Sequence, residues 1–219
     1  MQLKSNRFIL GAALALGLGV FAAQPARALT LGDLVGVGGM SFSTGTLTFD
    51  DFEATPAGSV SLDLDAYAVQ VLSDGFRISG PMTALLGEVG TLLLSYTVTS
   101  SVPDSIVSAS LFADGIAIGA GSAALVAESL FDTSNVPLGS MVVYDVAGVG
   151  SVESAGTSFA GVSGLSVVKT LQVKSGTFAA IPFADQHFAV VPEPVTFLLL
   201  GTGMIGLFVA GRRRQVLSA

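Results

Sequence analysis

The side chains able to carry chemistry are few, and most are acids. The one histidine, His187, stands in Asp185-Gln186-His187-Phe188. An imidazole can serve as a general base or, with Asp185, as a metal ligand. With no partner cluster in the sequence, it reads as a polar residue on the last strand or its linker. Asp50-Asp51-Phe52-Glu53 and Asp63-Leu64-Asp65 offer the hard oxygens that calcium takes. No D-x-D-x-D-G loop or G-G-x-G-x-D repeat frames them. Asp63 and Asp65, two residues apart, suit the wet face of a strand. Asp50, Asp51, Glu53, Asp63 and Asp65 thus stand as calcium candidates beside a solvated-face reading.

Other chemistries find little support. The chain has no Cys, which removes thiol catalysis and thiolate metal sites. There is no G-x-S-x-G, H-E-x-x-H, P-loop or dinucleotide fingerprint, so no motif requires a cofactor. A glycosidase needs only two carboxylates, which an acid-rich chain can supply. A sugar cleft also wants aromatic platforms, and the chain has no Trp and only 8% aromatic residues. The expectation is a non-enzymatic protein. The alternatives are a secreted carboxylate-dependent hydrolase and a calcium- or sugar-binding surface module.

The two ends carry more specific signals. Lys4 and Arg7 precede an apolar run over residues 8–23, and Ala26 and Ala28 follow with small-residue spacing. That order is a secretory signal peptide over residues 1–28, cut after Ala28. At the other end Pro192-Glu193-Pro194 precedes an uncharged apolar run over residues 195–210 and then Arg212, Arg213 and Arg214. The prolines hold an extended segment that a processing enzyme can grip. The run makes a helix of about 24 Å, which snorkelling arginines extend toward the width of a bilayer. The triple arginine stays cytoplasmic and stops transfer.

This three-part tail, residues 191–219, resembles the PEP-CTERM sorting domain of exported proteins in Gram-negative bacteria that make exopolysaccharide. The resemblance implies that a membrane-embedded exosortase recognises Pro192, Glu193 and Pro194 and processes the chain near them. It implies an inner-membrane-tethered precursor, then a cell-surface or matrix protein with a structural or adhesive role in biofilm. The implied partners are the exosortase, the export machinery and, through the C-terminal helix, the membrane; exopolysaccharide is a further one.

The body, residues 29–190, is charge-poor and β-patterned. Charged residues make up 11% of the chain, against about 25% in ordinary proteins. Residues 29–191 hold three basic side chains and fifteen acids, a net charge of −12. Phosphate backbones repel such a body, which excludes nucleic acid as a partner. Leu92, Leu94, Tyr96 and Val98 alternate with polar residues, as a half-buried antiparallel strand does. Residues 59–65 alternate likewise. Leu165, Val167, Leu171 and Val173 form a third apolar face, interrupted by Lys169. Asp74-Gly75 and Asp114-Gly115 read as hairpin turns, and residues 123–130 fit a helix or a strand, with the strand preferred. Pro56, Pro81, Pro103, Pro137 and Pro182 are spaced to separate strands. The expected fold is an all-β antiparallel sandwich or jelly roll between two terminal helices.

Overall fold

The computed structural model describes residues 28–36 and 38–191. The signal peptide up to Arg27, the sorting tail from Pro192 and the helix expected over residues 195–210 lie outside them. Among the described residues no helix is long and apolar enough to cross a membrane.

A short helix α1 (Leu31–Leu34) precedes the strands. It opens on a capping box, in which the Thr30 hydroxyl accepts from the Asp33 N–H and the Asp33 carboxylate accepts from the Thr30 N–H. The strands are β1 (Phe42–Thr44), β2 (Leu47–Gly58), β3 (Ala68–Val71), β4 (Gly75–Leu85), β5 (Val89–Ser100), β6 (Ile106–Ile118) and β7 (Ala123–Asp132). They continue as β8 (Pro137–Val146), β9 (Gly150–Val152), β10 (Ser154–Val162), β11 (Gly164–Lys174) and β12 (Phe178–Val190). Seven form one sheet in the order β1-β2-β5-β11-β7-β8-β9, and five form the other in the order β10-β6-β12-β4-β3. All pairings are antiparallel.

The expected antiparallel sandwich is what these residues build, because period-2 alternation gives each strand an apolar face that only a second sheet can cover. Leu92, Leu94, Tyr96 and Val98 are buried, as are Leu165, Val167, Leu171 and Val173. Residues 123–130 fall within β7, and Asp74-Gly75 closes the β3–β4 hairpin, where the Leu72 N–H donates to the Gly75 carbonyl at 2.9 Å. An aromatic cluster fills one end of the core. Phe49 lies 5.4 Å from Phe76 and 5.9 Å from Phe188, and Phe52 lies 5.2 Å from Tyr96. Phe49 and Phe52 are three apart, which plain alternation would put on opposite faces. Asp51, at φ 54°, sits where the β2–β5 register shifts, and the bulge turns both rings inward.

Three expectations are corrected. Residues 59–65 are not a strand: β2 ends at Gly58, and Leu64–Ala66 is a single 3₁₀ turn whose cap is Asp63, accepting from the Asp65 N–H. The apolar half of the pattern survives, since Val60, Leu62 and Leu64 pack on the core. Asp114-Gly115 is not a turn; β6 runs through it, pairing Asp114 with Phe183 of β12. Gly115 is there for close approach, because a Cβ would stand 3.2 Å from the Cβ atoms of Ala124 and Asp145 in the facing sheet. The prolines divide into classes. Pro103 lies between β5 and β6 and Pro137 opens β8, as expected. Pro56 is inside β2, opposite Leu92, beyond the reach of β1, so its missing N–H faces an open edge. Pro81 and Pro182 are both left out of the β4–β12 pairing at a register shift, the kind of irregularity where a strand tolerates proline.

Tyr67 and Tyr96 are buried with hydroxyls that have no hydrogen-bond partner among the described residues. Burial pushes the Tyr67 phenol up to about 12 and, with the charge of Glu128, pushes Tyr96 well above its ordinary value. Above pH 10 the unfolded chain loses these protons while the folded one keeps them, so stability is complete below pH 10 and falls as pH rises toward 12. For Tyr67 the expected loss is roughly 2–3 kcal/mol, and Tyr67→Phe should abolish that share of it. Urea denaturation at a series of alkaline pH values checks this.

Candidate functional site

The last strand organises every candidate position. β12 lies between β6 and β4 and pairs with both. Its alternation sends Gln186 and Phe188 into the core, while Asp185 and His187 take the opposite, outer face of the five-stranded sheet. The strand stays anchored to its end: the Phe188 N–H donates to the Asp74 carbonyl at 2.9 Å and the Val191 N–H to the Ser105 carbonyl at 2.9 Å. The expected sorting motif begins at the next residue. At the other end of the body, Leu29 already accepts from the Val69 N–H, and Ala28 is exposed. Pro192, Glu193, Pro194, Arg212, Arg213, Arg214 and Ala26 lie outside the described residues.

On the outer face, the partners of Asp185 and His187 differ from those expected. Asp185 does not pair with His187. It accepts two hydrogen bonds from Arg77 on β4, at 2.6 Å from Nε and 2.7 Å from Nη2. These two residues are direct cross-strand partners. The Asp185 side chain is only 8% exposed against 36% for Arg77. The charge-assisted bonds to Asp185 hold the guanidinium further toward its charged form. The same guanidinium lies 4.2 Å over the Phe183 ring, and Phe183 packs on Phe112 at 5.7 Å. His187 pairs instead with Asp74 in the β3–β4 turn, Nδ1 to Oδ1 at 2.8 Å. A carboxylate oriented on Nδ1 fixes the imidazole's rotamer, but no serine hydroxyl is bonded to its other nitrogen among the described residues.

The acid groups proposed for calcium do not converge. Asp51 is on the β2 bulge, where its carboxylate accepts from the Thr97 hydroxyl at 3.2 Å, and Asp50 accepts from the Asp51 N–H. Asp63 caps the 3₁₀ turn, and Glu53 is exposed further along β2. Among the described residues no three His, Asp or Glu side chains form a metal-holding group. A shallow apolar recess between β6, β7 and β8, lined in part by Gly115, Val126 and Val143, has room for about one water.

One buried polar group is not among the candidates named from the sequence. Lys169 interrupts an apolar face, yet it points inward with the rest and is 1% exposed. Its Nζ lies 2.8 Å from Oε2 of Glu128, its direct partner on β7, and donates to Oε1 of Gln186 on β12 at 2.6 Å. Glu128 and Gln186 are equally buried. The signal was available: a lysine at an inward position of a central strand must find a buried partner, and Glu128 is the inward acid of the neighbouring strand.

The described residues form an antiparallel β-sandwich whose last strand, β12, ends at Val190. The PEP-CTERM protein-sorting motif matches residues 190–214. The chain therefore carries a PEP-CTERM sorting motif, beginning at the last residue of β12. No curated protein matches the chain. Among solved structures it is similar to TmCBM61 in complex with β-1,4-galactotriose, with 14% identity, 64% of this chain and 88% of that one covered, and a TM-score of 0.38. It is also similar to carbohydrate-binding modules from the β-sandwich superfamily, at 8% identity, covering 67% of this chain and 56% of that one, with a TM-score of 0.26. A third similarity is to the enzymatically active domain of bacteriophage CBA120 tailspike protein 4, at 13% identity and TM-score 0.27, where the match spans only 19% of that chain. These likenesses are distant.

Removing Arg77 leaves a mostly buried carboxylate unpaired, whereas removing the charge of Asp185 leaves a cation that water can reach. Arg77→Leu should therefore cost about 2–3 kcal/mol and Asp185→Asn nearer 1 kcal/mol. The double variant should cost less than the sum, as a urea-denaturation double-mutant cycle will read.

Proposed function

We propose that the protein is an exported, non-enzymatic surface protein. An exosortase sorts and processes it at Pro192-Glu193-Pro194, and its acidic β-sandwich then serves a structural or adhesive role at the cell surface or in an exopolysaccharide matrix. One observation carries the reading: the sorting motif starts where β12 ends. The body is hydrogen-bonded up to Val191, and Pro192 follows it directly in the sequence. Processing there would release an intact domain. The charge of the body supports display in water, since a net −12 over residues 29–191 resists self-association. Location and intact mass of the product, compared between wild type and a variant with Pro192, Glu193 and Pro194 all changed to Ala, test it. The wild-type product should be shortened near the motif and found outside the inner membrane, and the variant retained there at full tail length. If both stay membrane-bound with Arg212, Arg213 and Arg214 intact, the tail is only an anchor and the reading fails.

A second reading, binding of polysaccharide by the outer face of the five-stranded sheet, is favoured by the half-buried Phe112 and Phe183 beside the Arg77–Asp185 pair. Aromatic edges and charged hydrogen-bonding groups on one flat surface suit a neutral sugar chain, and the acidity of the body disfavours an anionic one. Phe112→Ala should weaken retention on a neutral exopolysaccharide in affinity electrophoresis. Unchanged retention of the folded variant would remove this reading.

A further inference from the structure

Lys169, Glu128 and Gln186 join three strands across the middle of the sandwich. β11 and β7 belong to the seven-stranded sheet, and β12 to the facing one. The amine and carboxylate side chains are 1% and 0% exposed, and Gln186 is 0% exposed. Nζ lies 2.6 Å from the amide oxygen of Gln186. The amide carbon is one bond further, so it lies within about 3.8 Å of the amine. Several polar atoms around this contact have nothing to bond. Among the described residues, Gln186 Nε2, the Tyr96 hydroxyl and both Glu128 oxygens have no hydrogen-bond partner, and the carboxylate has its charge contact with Lys169. A group that served only to fill the core would be better hydrogen-bonded or apolar. What is present is a nucleophile, an electrophile, a leaving group with no hydrogen bonds to give up, and a base whose oxygens accept no hydrogen bond, all out of water.

We infer that Lys169 and Gln186 are joined by an intramolecular isopeptide bond that the folded protein forms itself, with Glu128 moving the protons. The ammonium first gives a proton to Glu128, which cancels two buried charges and leaves a neutral amine. The Nζ lone pair attacks Cδ of Gln186, and the carbonyl π pair moves onto Oε1. As the tetrahedral carbon collapses, its bond to Nε2 breaks. Glu128 hands its proton to that nitrogen and takes one from Nζ. Ammonia departs with the remaining proton as ammonium, and Glu128 returns to a carboxylate. One C–N bond forms and one breaks, and no oxidant, reductant or co-reactant is consumed. Holding the partners in contact replaces the encounter that makes amine–amide exchange slow in solution. Exclusion of water suppresses the competing hydrolysis of the amide. The high-lying Tyr96 phenol stays protonated and leaves an O–H donor in the same cluster.

The product ties one sheet to the other in a chain that has no Cys for a disulfide. It also ties down the strand that leads into the sorting tail, so tension on the C-terminus would pass from β12 to the centre of the facing sheet.

Peptide mass mapping of the full-length chain, exported from a Gram-negative host and purified in detergent, tests this independently of any sorting event. The expected result is a branched peptide joining the segment around Lys169 to the segment around Gln186, lighter than its two arms by one ammonia. Glu128→Gln, shown to be folded by far-UV circular dichroism, should give the two linear peptides at full mass. Linear peptides from the wild type overturn the proposal, with no variant needed. A branched peptide in folded Glu128→Gln overturns the role of Glu128. Ammonia loss that persists in Lys169→Met places the loss elsewhere and overturns the bond itself.

Discussion

The register of β12 is the constraint on which the other arrangements rest. Because strand side chains alternate, one strand sets the composition of two surfaces at once. Asp185 outward meets Arg77, and Gln186 inward meets Lys169. A slip of one residue would turn Asp185 and His187 toward the aromatic core and Gln186 toward water, breaking both contacts. Two features hold the register. The bulge between Ile181 and Phe183, with Pro182 at its centre, fixes the strand against β4 and β6. Phe188, 1% exposed, fixes its far end against Phe49. The residues that precede Pro192 therefore belong to a strand whose register is held along its length.

The parts of this molecule legible in the sequence are those that rest on local rules. Alternation exposed β5 and most of β11, and the three-block sorting tail could be read without a fold, because its blocks follow one another in the chain. Non-local effects escaped. Asp114-Gly115 has the chemistry of a turn, but pairing to β12 and the nearness of Ala124 and Asp145 keep it in a strand. Residues 59–65 have the pattern of a strand, but the Ser59 and Val60 N–H groups share one acceptor, the Val89 carbonyl, and beyond them Asp63 offers the backbone a cap instead. Phe49 and Phe52 share the core only through the bulge at Asp51, so the acidic run there serves backbone geometry before any ligand.

The candidate sites divide along the same line. That His187 precedes the tail was plain; that its partner is Asp74, far back in the chain, depended on which hairpin abuts β12. Lys169 appeared as a blemish in an apolar face. It is the position where local and global requirements disagree most, and such positions are where function or strain concentrates. The reading faltered because two of the three groups that face one another come from different sheets, and no spacing in the sequence reports how two sheets stack.

Energetics sharpen the meaning of that core group. Taking an ammonium and a carboxylate out of water costs several kcal/mol per ion, and their attraction returns this only with good geometry and satisfied lone pairs. Here the lone pairs of Glu128 and the amide N–H groups of Gln186 go unsatisfied. Three apolar residues of similar size would fill the space at lower cost, and the surrounding Leu94, Val126, Val167 and Leu171 show that the core has the means to do so. Stability of the non-covalent fold therefore does not account for the trio. A bond made once, after the sheets have closed, does. It converts a core that is locally poor in hydrogen bonds into one that cannot separate at that point. It acts only when β11, β7 and β12 are in register, so the chemistry would mark a correctly assembled sandwich. Where unfolding is irreversible, resistance to opening is set by the rate of unfolding rather than by equilibrium. A covalent link between facing sheets acts directly on that rate.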